Sequence, residues 1–373
     1  MSAAQTFPHI SSPGNADTLL LPAFADPHVH LDKAFTADLV HNPAGDLAGA
    51  IEAWLAFRGS QSVADVQARA ARAARELLRH GSTAVRAHAD AGPGVGTQAV
   101  EALVALRDQL AGIVDVQVVA GVGPVVTGAA GAEARAALAA ALDAGADLIG
   151  GAPALDDDPA GAYDVLVAAA LEAGVGLDLH VDETLDPGTF TLPWLIDRVA
   201  GGFPHPVVVD HVVSLAVQPP GVRHATAERL AAQGIGVITL PATNLYLQGR
   251  GEGTPTARGL TAIRTLLDAG VTVAAGADNV RDPFNPTGRL DPLETASLLV
   301  TAGHLTPDEA LAAVTTAPRA LLGLPPATDG DVVALPASSV SDAIAGAPPQ
   351  RVVSREGRVV ARTTVTTWEE GAA

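Results

Sequence analysis

The feature that most constrains the fold is a repeated alternation of two kinds of segment along the 373 residues. Short apolar runs rich in valine and isoleucine alternate with longer alanine-, leucine- and arginine-containing segments of helical period, which indicates βα units and a parallel sheet. Eight such runs lie near Leu19–His30, Ser82–Ala89, Asp115–Gly123, Ala146–Gly150, Gly176–Val181, Pro206–His211, Gly236–Leu240 and Val271–Ala277. No Gly-x-Gly-x-x-Gly motif opens a helix after the first run, so we predict an α/β fold with a (β/α)₈ TIM barrel rather than a doubly wound sheet.

Helices are predicted between these strands, for example over Val63–His80, Gly131–Ala144 and Leu260–Ala269. Several predicted helices end in a glycine just before the next strand, as a left-handed C-cap requires. These glycines are Gly81, Gly145, Gly174, Gly234 and Gly270.

The C-terminal part of the chain has a different pattern. Thr306–Leu322 is predicted to form a helix pair, and short strands are predicted over Asp331–Leu335, Arg351–Ser354 and Arg358–Val365, with a loop over Pro336–Gln350. We therefore predict a barrel domain over residues 19–322 and a small, reduced β-sandwich appendage. The appendage would comprise residues 1–18 and 323–373 and consist mainly of the C-terminal strands.

The charge balance limits the partners that this chain can bind. With 41 acidic and 22 basic residues, the formal net charge is −19, which repels nucleic acid and anionic membranes. We expect a small-molecule substrate and, at most, further copies of the same chain as partners. Because cysteine is absent, any metal site must use nitrogen and oxygen ligands.

The N-terminal segment Met1–Asn15 lacks the basic and apolar regions of a secretory signal. Every long apolar stretch is interrupted by charged residues, glycine or proline, so none is predicted to span a membrane. We therefore expect a cytoplasmic protein.

Histidines recur where the predicted strands end. His28 and His30 stand two residues apart in an extended segment, so their imidazoles share one face. His88, His180 and His211 end three further strands. Because the carboxyl ends of all barrel strands open onto one face, these side chains are expected to converge on a metal site.

Several motifs, in one order, resemble the amidohydrolase superfamily and within it the cytosine deaminase-like branch. The matching segments are Pro27-His28-Val29-His30-Leu31-Asp32, Val85-Arg86-Ala87-His88-Ala89-Asp90, His180-Val181-Asp182-Glu183, Leu247-Gln248-Gly249-Arg250 with Arg258-Gly259, and Gly276-Ala277-Asp278-Asn279-Val280-Arg281-Asp282-Pro283. The resemblance extends from about Leu20 to Val365.

The resemblance implies roles for six residues. His28, His30, His180 and Asp278 would be the ligands of one divalent ion, zinc or iron. Glu183 would be the proton shuttle, and His211 would steady and polarise the attacking water. Asp278 would also accept the proton of that water.

Simpler interpretations of some residues stay open at this stage. His180 and Glu183 could be an exposed polar pair after a strand, and His211 could be a hydrogen-bonded structural histidine. His88 and Asp90 could support the metal ligands or the fold instead of contacting substrate.

Lys33 is the only lysine of the chain. Many dinuclear amidohydrolases bridge two metals with a carboxylated lysine at the end of strand four, and no lysine stands there in this sequence. The resemblance therefore implies a mononuclear site. Lys33 itself either faces the substrate or forms an ion pair with Asp32.

The predicted pocket departs from that of cytosine deaminases. Gly123 stands where those enzymes carry a glutamine that binds the pyrimidine amide edge, and Asn279 replaces a second acid after Asp278. Cytosine is therefore not the expected substrate. The residues expected around the substrate are Lys33, His88, Gly123, Asp182, Asn279 and Phe284.

The predicted activity is hydrolytic deamination of an N-heterocyclic or amidine-type small molecule by a metal-bound hydroxide. Two alternatives remain. Hydrolysis of a cyclic amide or removal of an N-alkylamino group would use the same attack with another leaving group, and a barrel of this kind could also bind a ligand without catalysis.

Overall fold

A computed structural model describes residues 18–250 and 257–366. Eight parallel strands form one sheet in sequential order: β2 (Phe24–Val29), β3 (Ser82–Ala91), β4 (Asp115–Val122), β5 (Leu148–Gly151), β6 (Gly176–Val181), β7 (Val207–His211), β8 (Gly236–Thr239) and β9 (Val273–Ala275). The sheet closes where Val29 bridges Asp278 in parallel and the His30 amide donates to the Asp278 carbonyl at 3.0 Å. The predicted (β/α)₈ barrel is confirmed.

Helices surround the barrel and follow most of its strands. They are α1 (Leu47–Phe57), α2 (Val63–His80), α3 (Gln98–Gln109), α4 (Ala132–Asp143), α5 (Pro159–Ala173), α6 (Leu192–Val199), α7 (Val213–Ala216), α8 (Pro220–Gln233), α9 (Pro241–Leu247), α10 (Ile263–Asp268), α11 (Pro292–Thr301), α12 (Pro307–Val314) and α13 (Thr316–Leu321). The five glycines predicted to end helices all have positive φ, because only glycine adopts the left-handed region without a Cβ penalty. The predicted C-caps are confirmed, as is the helix pair after the barrel.

The first predicted strand is wrong as a single element. Leu19–His30 forms two strands in different sheets, β1 (Thr18–Pro22) and β2, and Ala23 lies between them. Pro22 has no N–H with which to continue the ladder, and the Ala23 amide donates to Asp331 at 2.8 Å. An unbroken apolar run therefore passes from one sheet into the next.

The second sheet is antiparallel and has the order β1-β10-β11-β12. Its C-terminal strands are β10 (Val332–Pro336), β11 (Arg351–Arg355) and β12 (Arg358–Thr363). This sheet is the predicted small appendage. The predicted domain boundaries stay a prediction, and their segments 1–17 and 367–373 lie outside the described residues.

The loop predicted over Pro336–Gln350 is wrong in part, because it contains α14 (Val340–Gly346). The Ser339 hydroxyl accepts a hydrogen bond from the Asp342 amide at 3.1 Å and caps this helix. Ala343 and Ile344 pack into the core. Seven residues give too few turns for helical periodicity to be detected in the sequence.

Most of the core is one continuous cluster of apolar side chains from the strands and from the inner faces of the helices, beside two much smaller clusters. Alanine and valine dominate it, so helices and strands approach closely. The barrel places the ends of its eight strands around one cavity, which contains the candidate site.

Among the described residues, no helix is both long enough and apolar enough to cross a membrane.

Candidate active site

The histidines and carboxylates predicted to converge do so at the carboxyl ends of the barrel strands. His28 lies in β2 and His30 directly follows it, while His180 lies in β6. His211 is the last residue of β7, and Asp278 follows β9. All five side chains are buried or nearly so.

Four ligand atoms are spaced as a tetrahedral metal site requires. His30 Nε2 lies 3.4 Å from His28 Nε2, 3.3 Å from His180 Nε2 and 3.4 Å from Asp278 Oδ1. His28 Nε2 is 3.4 Å from the same Asp278 oxygen. Four ligands in a tetrahedron about 2.0–2.1 Å from a metal are separated by about 3.3–3.4 Å. The predicted ligand set therefore fits one divalent ion, although the assignment of each ligand stays a prediction.

Looser groupings of His and Asp side chains overlap this set. One comprises His28, His88, His180 and Asp210, and another His28, His211 and Asp278, each with ligand atoms within 4.8 Å of one another. We favour the tetrahedral set because Asp210 already contacts the other nitrogen of His28, at 3.0 Å. Both carboxylate oxygens of Asp278 also lack a hydrogen-bond partner among the described residues, which fits a carboxylate that binds a cation.

Glu183 and His211 lie beside the four ligand atoms and share a neighbour. Glu183 Oε1 is 3.4 Å from His211 Nδ1 and accepts a hydrogen bond from Asn244 Nδ2 at 3.3 Å. The same amide nitrogen is 2.9 Å from His211 Nδ1. With Asn244 donating to Nδ1, the proton of neutral His211 is on Nε2, which has no partner among the described side chains. His211 thus offers a free N–H to the centre of the site.

Burial sets the protonation of these groups. Burial and repulsion from Asp278 raise the pKa of the Glu183 carboxyl well above 4.5. Burial lowers the pKa of His211 to about 3 and holds the pKa of His30 and His180 well below 6.5. Glu183 is therefore suited to carrying a proton, and the imidazoles of His30, His180 and His211 are neutral, as metal binding by His30 and His180 requires.

A second layer of charged residues lies beneath the ligands inside the barrel. His88 stacks on His28 with ring centroids 3.9 Å apart, and its Nε2 is 3.3 Å from Asp178 Oδ1. Asp178 in turn forms an ion pair with Arg86. His88 also lines the cavity, so the structure gives it a supporting contact and leaves its predicted contact with substrate open.

Lys33 occupies the wall of the cavity beside His30. Its ammonium donates to Asp90 at 2.7 Å and to Asp32 at 3.3 Å. Asp90 also accepts from Trp54 Nε1 at 2.7 Å and from Arg58 at 3.3 Å. The ion pair with Asp32 and exposure to the cavity, which the sequence left as alternatives, therefore occur together.

The Asp182 carboxylate is used within the fold. It accepts hydrogen bonds from the Thr191 amide at 2.9 Å, from the Thr191 hydroxyl at 2.6 Å and from the Leu192 amide at 3.0 Å. These groups lie at the start of α6, where free N–H donors favour an acid. Asp182 borders the cavity, but its side-chain contacts fix the β6–α6 loop, and contact with substrate stays a prediction.

Three strand ends at the site have left-handed backbone at residues other than glycine. The φ angles of Asp182, His211 and Asp278 are 51°, 66° and 61°. Such residues cost on the order of 1–3 kcal/mol each and cluster at functional sites. Each one turns the chain sharply at the end of a strand, and the residues that follow Asp182 and Asp278, which are Glu183 and Asn279, border the cavity.

A cavity of about 1180 Å³ lies above the ligand atoms. Gly123 borders it with no side chain, and Phe284 and Asn279 lie on another side. The Asn279 amide donates to Asp282 at 2.8 Å. Helix α1 forms one wall of the mouth, which also contains the half-exposed Leu55 and Leu155. The space greatly exceeds a single pyrimidine ring.

Some residues of the site were not assigned from the sequence. Asp210, Asp178 and Asn244 contact the His side chains, and Trp54 contacts Asp90. Asp210 and Asp178 each interrupt an otherwise apolar strand that also carries a histidine, which is a usable signal. Asn244 and Trp54 lie on helices, and no sequence signal marks them as part of the site.

Comparison with known proteins agrees with this geometry. The sequence profile of the amidohydrolase family matches residues 37–361. A pterin deaminase of Rhizobium rhizogenes (strain K84) is 35% identical over 360 residues, which cover 93% of this chain and 82% of that protein.

Two solved structures are similar over nearly the whole chain. The 5-methylcytosine deaminase of Klebsiella pneumoniae with 5-fluorocytosine is 25% identical, with a TM-score of 0.85, and the match covers 99% of this chain and 93% of the other. The N-isopropylammelide isopropylaminohydrolase of Burkholderia multivorans is 31% identical, with a TM-score of 0.79 and coverage of 96% and 92%.

Proposed function

The chain belongs to the amidohydrolase family, and on that premise we propose that it removes an amino group from a nitrogen heterocycle by hydrolysis. The family is metal-dependent, and its similar members act on C–N bonds of N-heterocycles. The observation that carries the proposal is the position of Glu183. Its buried carboxyl lies beside His211 and Asn244, next to the four candidate metal ligands at the base of the cavity.

One divalent ion, zinc or iron, is the cofactor that we propose for His28, His30, His180 and Asp278. Such an ion lowers the pKa of a bound water towards neutrality and so supplies a nucleophile at physiological pH. Nitrogen and carboxylate ligands suit either metal.

Glu183 moves the protons of the reaction. Because burial raises the pKa of its carboxyl, the carboxyl can hold a proton and give it to a ring nitrogen next to the attacked carbon. The Nε2–H of His211 donates a hydrogen bond to the attacking oxygen. The Asp278 carboxylate accepts the proton that this oxygen loses. A later transfer of that proton to the exocyclic nitrogen allows the C–N bond to break.

The balance of the reaction is simple. Water supplies an oxygen that bonds to the ring carbon, and the bond from that carbon to the amino group breaks. One proton of the water joins the departing amino group to form ammonia, and the other remains on the ring nitrogen. The ring retains an oxo group in place of the amino group. No oxidant or reductant is needed.

A substrate larger than one pyrimidine ring fits the cavity of about 1180 Å³. A relative with 35% identity is a pterin deaminase, so the aminated bicyclic 2-amino-4-oxopteridine is the first substrate to test. Removal of an N-alkylamino group is the second candidate, because a structure with 31% identity is an isopropylaminohydrolase and the apolar mouth at Leu55 and Leu155 can accept an alkyl group.

The test is a product screen with protein reconstituted with zinc or iron. Aminated pteridines, pyrimidines and triazines, with and without N-alkyl groups, are incubated, and ammonia and alkylamine are measured separately. Ammonia formed in proportion to an oxo product supports deamination. Alkylamine alone would favour the second candidate, and neither product from any compound would refute both.

A further inference from the structure

Lys33 and His30 are in contact at the edge of the candidate metal site. Lys33 Nζ lies 3.4 Å from His30 Nδ1. The other nitrogen of His30, Nε2, lies 3.3–3.4 Å from three other candidate ligand atoms. Since the two nitrogens of an imidazole are separated by one carbon, Lys33 is a single ring away from the metal position.

With a metal bound to His30 Nε2, Lys33 and His30 cannot satisfy each other's hydrogen-bonding groups. A neutral histidine that binds a metal through Nε2 carries its proton on Nδ1, and a lysine ammonium has donors only. Of the three N–H groups of Lys33, two point to Asp90 and Asp32. The third N–H of Lys33 and the N–H of His30 therefore both require an acceptor, and both residues line the cavity.

The ammonium is held in place for such an acceptor. The Lys33 side chain is only 5% exposed, and Asp90 is itself fixed by Trp54 and Arg58. A donor that is already positioned and desolvated binds an oxygen without paying for side-chain ordering.

Charge indicates which kind of oxygen binds there. Lys33 and Arg58 carry two positive charges, and Asp32 and Asp90 carry two negative charges within the same set of contacts. The cluster is therefore neutral as a whole. A neutral carbonyl oxygen fits these donors better than a phosphate or a carboxylate, whose charge would meet two carboxylates.

The topology places this donor pair opposite the proton shuttle. Lys33 follows β2, Glu183 follows β6, and these strands are separated by four positions in a ring of eight. A planar heterocycle above the metal therefore presents one edge to Glu183 and the other to Lys33. The oxygen must lie on the side of the ring away from the nitrogen that Glu183 protonates.

We propose that Lys33, together with the N–H of His30, binds a ring oxo group of the substrate, so that the enzyme selects heterocycles in which an oxo group lies two ring atoms from the aminated carbon. The 2-amino-4-oxo arrangement has this spacing. The inference rests on the proposed deamination, because it assigns the far edge of the same substrate. It also supplies an oxygen-binding group that Gly123 does not offer.

The experiment compares two substrates that differ only in this oxygen, 2-amino-4-oxopteridine and 2-aminopteridine. For Lys33→Met with normal metal content, kcat/KM on the oxo compound should fall about tenfold to hundredfold, the cost of an unpaired polar group. The value on the compound without the oxygen should change by less than about threefold. Arg79→Met, an exposed position on α2, is the control and should leave both values unchanged.

Equal losses on both compounds would show that Lys33 only supports the fold and would overturn the inference, as would no loss on either. Lys33→Gln retains a donor and serves if the methionine variant does not fold; it should recover part of the selectivity. A binding measurement separates this inference from the proposed function. If wild-type protein releases no ammonia, the proposed deamination is refuted. Fluorescence titrations then test the inference alone: Lys33→Met should weaken binding of 2,4-dioxopteridine but not of its analogue without the 4-oxo group. Equal binding of 2,4-dioxopteridine by wild type and variant would overturn the inference.

Discussion

Asp210 Oδ2 lies 3.0 Å from His28 Nδ1, and neither side chain is exposed to solvent. The carboxylate of one strand thus holds the imidazole of another with its Nε2 turned towards the ligand cluster. Burial alone would lower the pKa of His28, but Asp210 and Asp278 outweigh it and raise that pKa well above 6.5. A carboxylate behind a metal-binding histidine orients the ring and makes it a better ligand.

Asp210→Asn is therefore expected to weaken metal binding about 10–100-fold. The amide is nearly the same size as the carboxylate, so the packing is retained while the negative charge behind His28 is lost. Competition with a chelator of known affinity measures the effect. Asp143→Asn, at an exposed position on α4, should bind metal like the wild type, and equal affinities for all three proteins would contradict the role given to Asp210.

Arg86→Met should destabilise the protein by about 3–5 kcal/mol, because it leaves the Asp178 carboxylate buried without its partner. Both side chains are nearly inaccessible, and Arg86 also donates to Leu321 at 2.8 Å. Chemical denaturation measures the loss. The exposed pair of Arg229 and Asp197 is the comparison, since Arg229→Met should cost less than about 1 kcal/mol; similar losses for the two variants would refute the argument.

Removal of the metal should lower the melting temperature. A ligand present at about one hundred times its Kd stabilises the folded state by about 2.7 kcal/mol. His180→Ala should remove most of the difference between chelated and metal-loaded protein. His41→Ala, at an exposed position, should retain it. A melting temperature that does not respond to chelator in the wild type would show that no metal is bound where we place it.

Asp156 should make the stability fall in acid. Its carboxylate accepts hydrogen bonds from the Thr127 hydroxyl and from the Val126 and Asp158 amides, the last two at 2.7 and 3.0 Å. Burial opposes ionisation, but these bonds outweigh it and lower the pKa of Asp156 below 3.8. The stabilisation is therefore complete above the unfolded pKa of 3.8 and is lost as the pH falls through the folded value.

Asp156→Asn should consequently be less stable than the wild type at neutral pH, and the difference between the two unfolding free energies should shrink as the pH falls below the unfolded pKa of 3.8. Denaturation at a series of pH values tests this. Asp157→Asn, at the exposed neighbouring position, should follow the wild type throughout. A constant gap between wild type and Asp156→Asn at every pH would contradict the assignment.

Much of the fold followed from periodicity, because βα alternation and C-cap glycines such as Gly81 are local signals. The errors in the predicted elements arose where tertiary contacts determine the local structure. Nothing in Leu19–His30 marks the passage from one sheet to another, since both halves are apolar and extended. Helix α14 is held by its cap and by two buried side chains, which a short window does not separate from a loop.

The candidate site was likewise predictable from the sequence only in part. Residues at strand ends, such as His180, could be placed because a barrel brings all strand ends together. The use of the Asp182 carboxylate at the α6 terminus could not be predicted, since it depends on where the loop returns. Asn244 was missed because it reaches His211 from a helix 33 residues further along the chain, and no sequence pattern encodes that contact.

The central claim is that Glu183 transfers the proton in a metal-dependent deamination. Its most direct test is the rate of ammonia release by wild-type and Glu183→Gln proteins with equal metal content. Glu183→Gln is expected to bind metal normally and to lose about 10²–10⁴-fold in kcat, the usual contribution of a general acid–base group. Glu172→Gln, at an exposed position, should keep wild-type turnover. Ammonia release by Glu183→Gln at the wild-type rate would show that Glu183 does not transfer the proton.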